Sequence, residues 1–127
     1  MDLKEFKSLI DLFFYQAGKQ NPQSAFLEWL NPKNKKKFTW GETSSNIYKL
    51  AKTLKASIAD GDRCLLVSEN RPEWLISDIA IMLANGITVP AYTTYTEKDY
   101  KYLIEDCQPS VIIVSNDEMH DKLKNII

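Results

Sequence analysis

The chain has 127 residues, 44% of them hydrophobic and 26% charged, which fits one soluble globular domain burying roughly two thirds of its unfolded surface. Sixteen basic side chains against seventeen acidic ones leave a net charge of -1, so nothing in the overall balance calls for nucleic acid or a strongly anionic membrane. Two cysteines far apart, Cys64 and Cys107, and a single histidine, His120, exclude a disulfide framework and a zinc site, and both thiols read as reduced core residues.

The amino terminus, Met1-Asp2-Leu3-Lys4-Glu5, does not read as a signal peptide, and no apolar run approaches the ~20 residues of a membrane span, so a cytoplasmic location is expected. Leu3, Phe6, Leu9, Ile10, Phe13, Phe14 and Ala17 recur at helical spacing. They predict an amphipathic helix capped by Asp2, with Glu5 at its third position, and closed by Gly18 in a left-handed turn. Its polar face is not rich in Lys and Arg, so it reads as a helix packed on its own domain, with a partner-binding or membrane-surface helix as the alternative. Ala25 to Leu30 and Lys35 to Trp40 read as two strands joined by the turn Asn31-Pro32-Lys33-Asn34, a β-hairpin. Lys33 and Lys35 to Lys37 make a basic cluster there, expected to be a solvated tip, with phosphate or lipid contact as the alternative. Thr39, with Glu42 three residues on, has capping-box spacing and opens a helix with Ile47, Leu50, Ala51, Leu54 and Ile58 on one face.

From Gly61-Asp62 onward the pattern repeats. Strands near Cys64 to Ser68, Ile87 to Ala91 and Val111 to Val114 start roughly 23–24 residues apart, and each is followed by a helix. Continuous apolar strands are buried on both faces, as in parallel sheets. Alternating strand and helix predicts a doubly wound, Rossmann-like α/β layer of three βα units, preceded by the amphipathic helix, the hairpin and a further helix. Pro72 stands at a first helical position, Asn85-Gly86 at a helix stop, and Thr96 with Asp99 and Ser115 with Glu118 repeat the capping spacing. The helix from Trp74 to Ala84 is unusual: only Ser77 and Asp78 are polar. Either it is sandwiched within this domain, or its outer face meets further protein. The apolar close at Ile126-Ile127 points the same way, to a piece of something larger.

The corner Ser68-Glu69-Asn70-Arg71-Pro72-Glu73-Trp74 lies at a strand's carboxyl end, where open α/β sheets usually bind ligands. It lacks the glycines of a dinucleotide fold and the Gly-Lys-Ser/Thr of a phosphate loop, and although Glu69 and Asp117 each stand at a strand end, no adjacent acidic pair accompanies them on the first strand to hold magnesium. His120, beside Asp117 and Asp121 on the last helix, reads as a surface residue. The hydroxyl-rich loop Tyr92-Thr93-Thr94-Tyr95-Thr96 reads as bonding its own backbone, with a pocket lining as the alternative.

Phe38-Thr39-Trp40, Gly61-Asp62-Arg63, Ser68 to Trp74, Asn85-Gly86, Val89-Pro90-Ala91-Tyr92-Thr93-Thr94-Tyr95-Thr96 and Cys107-Gln108-Pro109-Ser110-Val111-Ile112-Ile113-Val114, in this order and spacing, closely resemble the beginning of AMP-forming acyl-CoA synthetases, above all the long-chain fatty acid–CoA ligases. The resemblance covers nearly the whole chain. It implies a single α/β domain over residues 1–127, the amino-terminal portion of a large adenylation domain. It also implies a parent enzyme that converts a fatty acid with ATP and magnesium to an acyl-adenylate and pyrophosphate, then transfers the acyl group to CoA. The family's phosphate loop, nucleotide contacts and adenylation lysine lie downstream of the resembling segment. No catalytic, cofactor-binding or metal residue is therefore assigned here; ATP, Mg2+ and CoA belong to the parent, and this chain alone is expected to be inactive scaffold. The implied partners are the remainder of the parent enzyme, or another copy, covering helix 74–84. Fatty acid is the parent's substrate, nucleic acid is not a partner, and membrane contact is at most peripheral. The alternative is a stand-alone α/β binding module that kept the fold and lost catalysis.

Overall fold

The computed structural model describes residues 5–33 and 35–127. The order is α1 (Leu9–Gly18), β1 (Ala25–Trp29), β2 (Lys36–Thr39), α2 (Trp40–Lys55), β3 (Arg63–Val67), α3 (Pro72–Leu83), β4 (Ile87–Ala91), α4 (Glu97–Cys107), β5 (Val111–Val114) and α5 (Asp117–Lys124). β1 and β2 form the expected antiparallel hairpin, with Glu28 opposite Lys37 and Trp29 opposite Lys36.

The other three strands make a parallel sheet in the order β4-β3-β5, with Leu65 beside Val89 on one side and Ile112 on the other. β3 takes the centre because Cys64 to Val67 are all buried, which an edge position would not allow. Pro90, which has no N–H to give a second neighbour, sits on the edge strand β4. The chain steps one way from β3 to β4 and back across β3 to β5, so the helices fall on both faces, the doubly wound pattern. Period-two alternation divides the core. Cys64 joins Ile47, Ala51, Leu54, Ile79 and Ile81 under α2 and α3, while Leu65 and Val67 join Tyr100, Met119 and Leu123 under α4 and α5.

The amino-terminal end of the sheet is tied by one carboxylate. Asp62 accepts from the Ala59 amide at 2.9 Å and from the Ser110 hydroxyl at 2.8 Å, and the adjacent Gly61 adopts φ +83. The stop after α3 is as expected: Asn85 takes φ 63 and the Gly86 amide donates to the Ile81 carbonyl at 2.9 Å. A side chain at Gly86 would press on Ile58 and Ile81 at 3.0 and 3.1 Å.

Four expectations are corrected. α1 starts at Leu9, because the Ser8 hydroxyl accepts from the Asp11 amide at 3.2 Å and so defines the cap. The expected cap Asp2 lies outside the described residues, and Phe6 precedes the helix, its ring edge-on to Tyr15 at 5.0 Å. α1 ends at Gly18 without a left-handed residue: the amides of Lys19 and Gln20 close the turn on the carbonyls of Gln16 and Ala17, and Lys19 keeps φ -87. α5 is capped by Asn116, whose side chain accepts from the Met119 amide at 2.9 Å, rather than by Ser115 with Glu118. Ser115 is one residue too early and has another partner. Finally, the last helix, whose apolar face Met119, Leu123, Ile126 and Ile127 would share by spacing, ends at Lys124, so Ile126 packs on the core under α4 and α5 from outside the helix and Ile127 is 77% exposed. Both capping boxes, Thr39 with Glu42 and Thr96 with Asp99, form fully.

The apolar helix α3 is largely sandwiched within the domain. Ile76, Ser77, Ile79, Ala80 and Ile81 are buried between the sheet and α2, and α1 crosses its outer side. Leu75, Asp78 and Met82 remain half-buried beside Leu9, Leu12 and Phe13 of α1, where an open groove of about 410 Å³ persists.

Candidate functional site

The carboxyl end of the sheet gathers the chain's polar side chains into a corner and, next to it, a cleft. The corner is centred on Arg71. Pro72 at the first position of α3 presets the helical φ, and Arg71 just before it is extended, so its side chain swings back over the end of the sheet instead of capping the helix. The guanidinium donates from Nε to Glu73, from one terminal nitrogen to Glu69 at 3.1 Å, and from the same nitrogen to the Ser115 carbonyl at 3.4 Å. Its plane lies over Trp29 of the hairpin, 4.5 Å from the ring centroid. The Ser115 hydroxyl donates to the second oxygen of Glu69 at 2.7 Å. Lys36 reaches Glu73 at 3.7 Å.

One side chain, only 14% exposed, thus joins β1, the β3–α3 turn and the end of β5. Arg71 and Glu73 thus tie this corner to neighbouring loops. Electrostatics follow the geometry. Burial works to raise the Glu69 carboxyl, but the Ser115 hydroxyl, its own backbone and Arg71 outweigh it and hold Glu69 below the ordinary value. Burial likewise works against the Arg71 charge, and Glu73 and Glu69 more than restore it.

The cleft, about 670 Å³, lies between this turn and the loop after β4. Ser68, Glu69, Asn70 and Trp74 form one wall, and the segment from Pro90 to Tyr95 the other. That loop is held from beneath: the buried Tyr100 hydroxyl donates to the Tyr92 carbonyl and Lys122 donates to the Tyr95 carbonyl at 2.7 Å, while of the loop's own hydroxyls Thr96 bonds nearby backbone, as the cap of α4. Its outer side also lines the cleft, with the Tyr92 ring edge-on to Tyr95 at 5.4 Å, so the pocket-lining alternative holds as well.

The corner does not fit the triphosphate or magnesium of an adenylating enzyme. Phosphate needs donors aimed outward at it, and a hard cation needs carboxylate oxygens turned into one space. Here the guanidinium faces its own carboxylates, and both oxygens of Glu69 already accept bonds. Elsewhere, His120 is exposed beside Asp121 on α5, far along the chain from this corner, as expected. Cys64 is buried and Cys107 half-buried, and both are free thiols that burial pushes above their ordinary pKa. Ser115, Trp29 and Lys122 are the participants that motif reading missed. Because Asn116 caps α5, the Ser115 hydroxyl is left to bind Glu69.

Known proteins carry the same segment. A family model described as AMP-binding enzyme matches residues 13–126. The mitochondrial acyl-coenzyme A synthetase ACSM5 of Homo sapiens is 32% identical over 104 residues, covering 80% of this chain and 18% of that protein. A long-chain-fatty-acid–CoA ligase of Bacillus subtilis is 35% identical over 79 residues, 61% of this chain and 14% of the ligase. The fatty acid AMP ligase of Legionella pneumophila superposes with a TM-score of 0.78 at 21% identity, over 93% of this chain and 21% of that one, a likeness of fold. The chain therefore spans less than a fifth of the length of these curated relatives, in their amino-terminal part.

Proposed function

This chain belongs to the AMP-binding enzyme family, and from that premise we propose that it is the amino-terminal portion of the adenylation domain of a long-chain fatty acid–CoA ligase. The observation that carries the reading is the match to residues 13–126, joined to relatives named as acyl-CoA synthetases and long-chain ligases that run more than five times as long as the matched segment. In this reading the parent enzyme uses ATP, Mg2+ and CoA on a fatty acid, and it is cytoplasmic. The segment's own work is mechanical. Arg71 fixes the β3–α3 turn against β1 and β5, and Tyr100 and Lys122 fix the loop after β4, so the two walls of the cleft keep their separation. A rigid sheet end of this kind is what a downstream catalytic segment needs to dock against.

The test is ATP–pyrophosphate exchange in two arms. The complete protein carrying this segment is expected to exchange in the presence of palmitate or oleate and much less with butyrate, and the 127-residue chain alone is expected to show none with any of them. Turnover by the chain alone sinks the scaffold reading. A preference for butyrate sinks the long-chain reading. A complete protein with no exchange at all leaves the stand-alone binding module as the answer.

A further inference from the structure

The whole-chain charge of -1 conceals a local excess. The ten residues from Glu28 to Lys37 hold four lysines against a single carboxylate, and they run from the end of β1 through the turn into β2. The pleat sorts these side chains. Leu27 stands opposite Phe38 and Trp29 opposite Lys36, and this pair of positions faces inward: Leu27 and Phe38 pack on the core, Trp29 lies under Arg71, and Lys36 reaches Glu73. Alternation then places Glu28, Lys37, Lys35 and Leu30 on the outer face, where all four are exposed. Leu30 is 76% exposed, the largest value among the big apolar side chains of the described hairpin. Beyond it the Asn31 side chain accepts from the Lys33 amide at 2.9 Å, and Pro32 restricts the backbone between them.

An outward leucine with Lys33, Lys35 and Lys37 exposed on the same hairpin has the make-up of a membrane-surface contact: an apolar group to enter the headgroup boundary and flexible cations to meet lipid phosphates. We propose that the outer face of the β1–β2 hairpin docks this protein on an anionic bilayer, through Leu30 and the three lysines. Charge complementarity selects this occupant over a second copy, since two like-charged tips repel, and over an acidic peptide, since the groove of about 420 Å³ beside β1 is lined by Glu28 and by none of the three lysines. The corner explains why Lys36 is not part of the face: it is turned inward onto Glu73. The inference stands apart from the ligase reading, because it depends only on the hairpin.

Co-sedimentation with vesicles tests it, using the complete protein and the 127-residue chain in parallel. Vesicles of phosphatidylcholine with phosphatidylglycerol should bind, and pure phosphatidylcholine vesicles should not. Each lysine near an anionic surface contributes roughly fivefold in affinity, so K33E/K35E/K37E should weaken binding by at least about a hundredfold. Leu30→Ser should weaken it several-fold and leave its salt dependence intact. Lys52→Glu with Lys55→Glu, at the far end of α2, should change it much less than the hairpin triple variant, and circular dichroism confirms that each variant is folded. No binding by the unaltered protein, equal binding to the two kinds of vesicle, or a hairpin triple variant that binds as well as the parent overturns the proposal.

Discussion

Helices α1 and α3 are nearly matched in apolar content, yet they meet opposite fates. α3 buries half of its twelve residues, including Ile79, Ala80 and Ile81, between the sheet and α2. α1, with Leu9, Ile10, Leu12, Phe13 and Phe14 in its ten residues, buries none of them fully. Composition does not distinguish the two; place in the topology does. α3 is the crossover between adjacent parallel strands and cannot avoid the sheet. α1 precedes the hairpin and is laid on afterwards, holding to the domain through aromatic contacts such as Phe13 to Trp40 at 6.3 Å and Phe14 to Tyr48 at 4.9 Å.

The largest expected effect follows directly. Ile81→Ala should cost about 2–5 kcal/mol of unfolding free energy in urea titration, because Ile81 is fully buried and the cavity it leaves is walled by rigid sheet and α2. Leu12→Ala, on the half-open groove of α1, should cost less than about 1 kcal/mol. Equal costs would mean that α1 is as much a part of the core as α3, and the comparison would fail.

Next comes Arg71→Ala, which cuts the tie between the start of α3 and the rest of the sheet end. It strands Glu69 and Glu73 facing each other's space. Since both keep about a third of their side-chain exposure, the loss should be about 1–3 kcal/mol rather than the larger figure for a fully buried pair. Arg71→Lys should recover only part of it, because an ammonium cannot bond Glu69 and Glu73 in one plane and stack on Trp29 as well. A variant with unchanged midpoint would make the corner ornamental.

The caps give a finer contrast. Thr39→Ala, removing half of a complete capping box on the docked helix α2, should cost about 1 kcal/mol of global stability. Ser8→Ala should change global stability by less than about 0.5 kcal/mol, and should appear instead as faster amide exchange confined to α1, a helix able to fray without unfolding the sheet.

How much of this was legible beforehand varies with the kind of force involved. The three parallel strands, Pro72, Asn85-Gly86 and both capping boxes could be read because each is a local rule acting over a few residues. The start of α5 was misplaced because two neighbouring polar residues, Ser115 and Asn116, competed for one cap. That contest was decided by Glu69, 46 residues away in the chain. The corner was recognisable as a corner from Pro72 at the strand end. Its contents were not, since Trp29 and Ser115 reach Arg71 only through the strand order, and the order β4-β3-β5 follows from which strand can bear burial on every side. The same holds for α3: its uniform apolarity announced burial, and only the topology said against what.

The smallest effect concerns acid. The Ala59 amide and the Ser110 hydroxyl, with a lesser contribution from Arg63, hold Asp62 below its ordinary pKa, and Glu69 is held below its own at the other end of the sheet. A carboxylate depressed in the folded state contributes stability that is complete above its unfolded value, about 4, and is lost as pH falls through the folded value. Stability should therefore be level from neutral pH down to about 5 and decline below about 4. Glu69→Gln and Asp62→Asn should each start lower and decline less steeply. Because Glu69 is bound to Arg71 at the entry to α3, its replacement should flatten the acid dependence of amide protection in α3 while leaving that of α1 as it was. If α1 responds to Glu69→Gln as strongly as α3 does, the two helices open as one unit, and the difference in their burial carries no difference in their cooperativity.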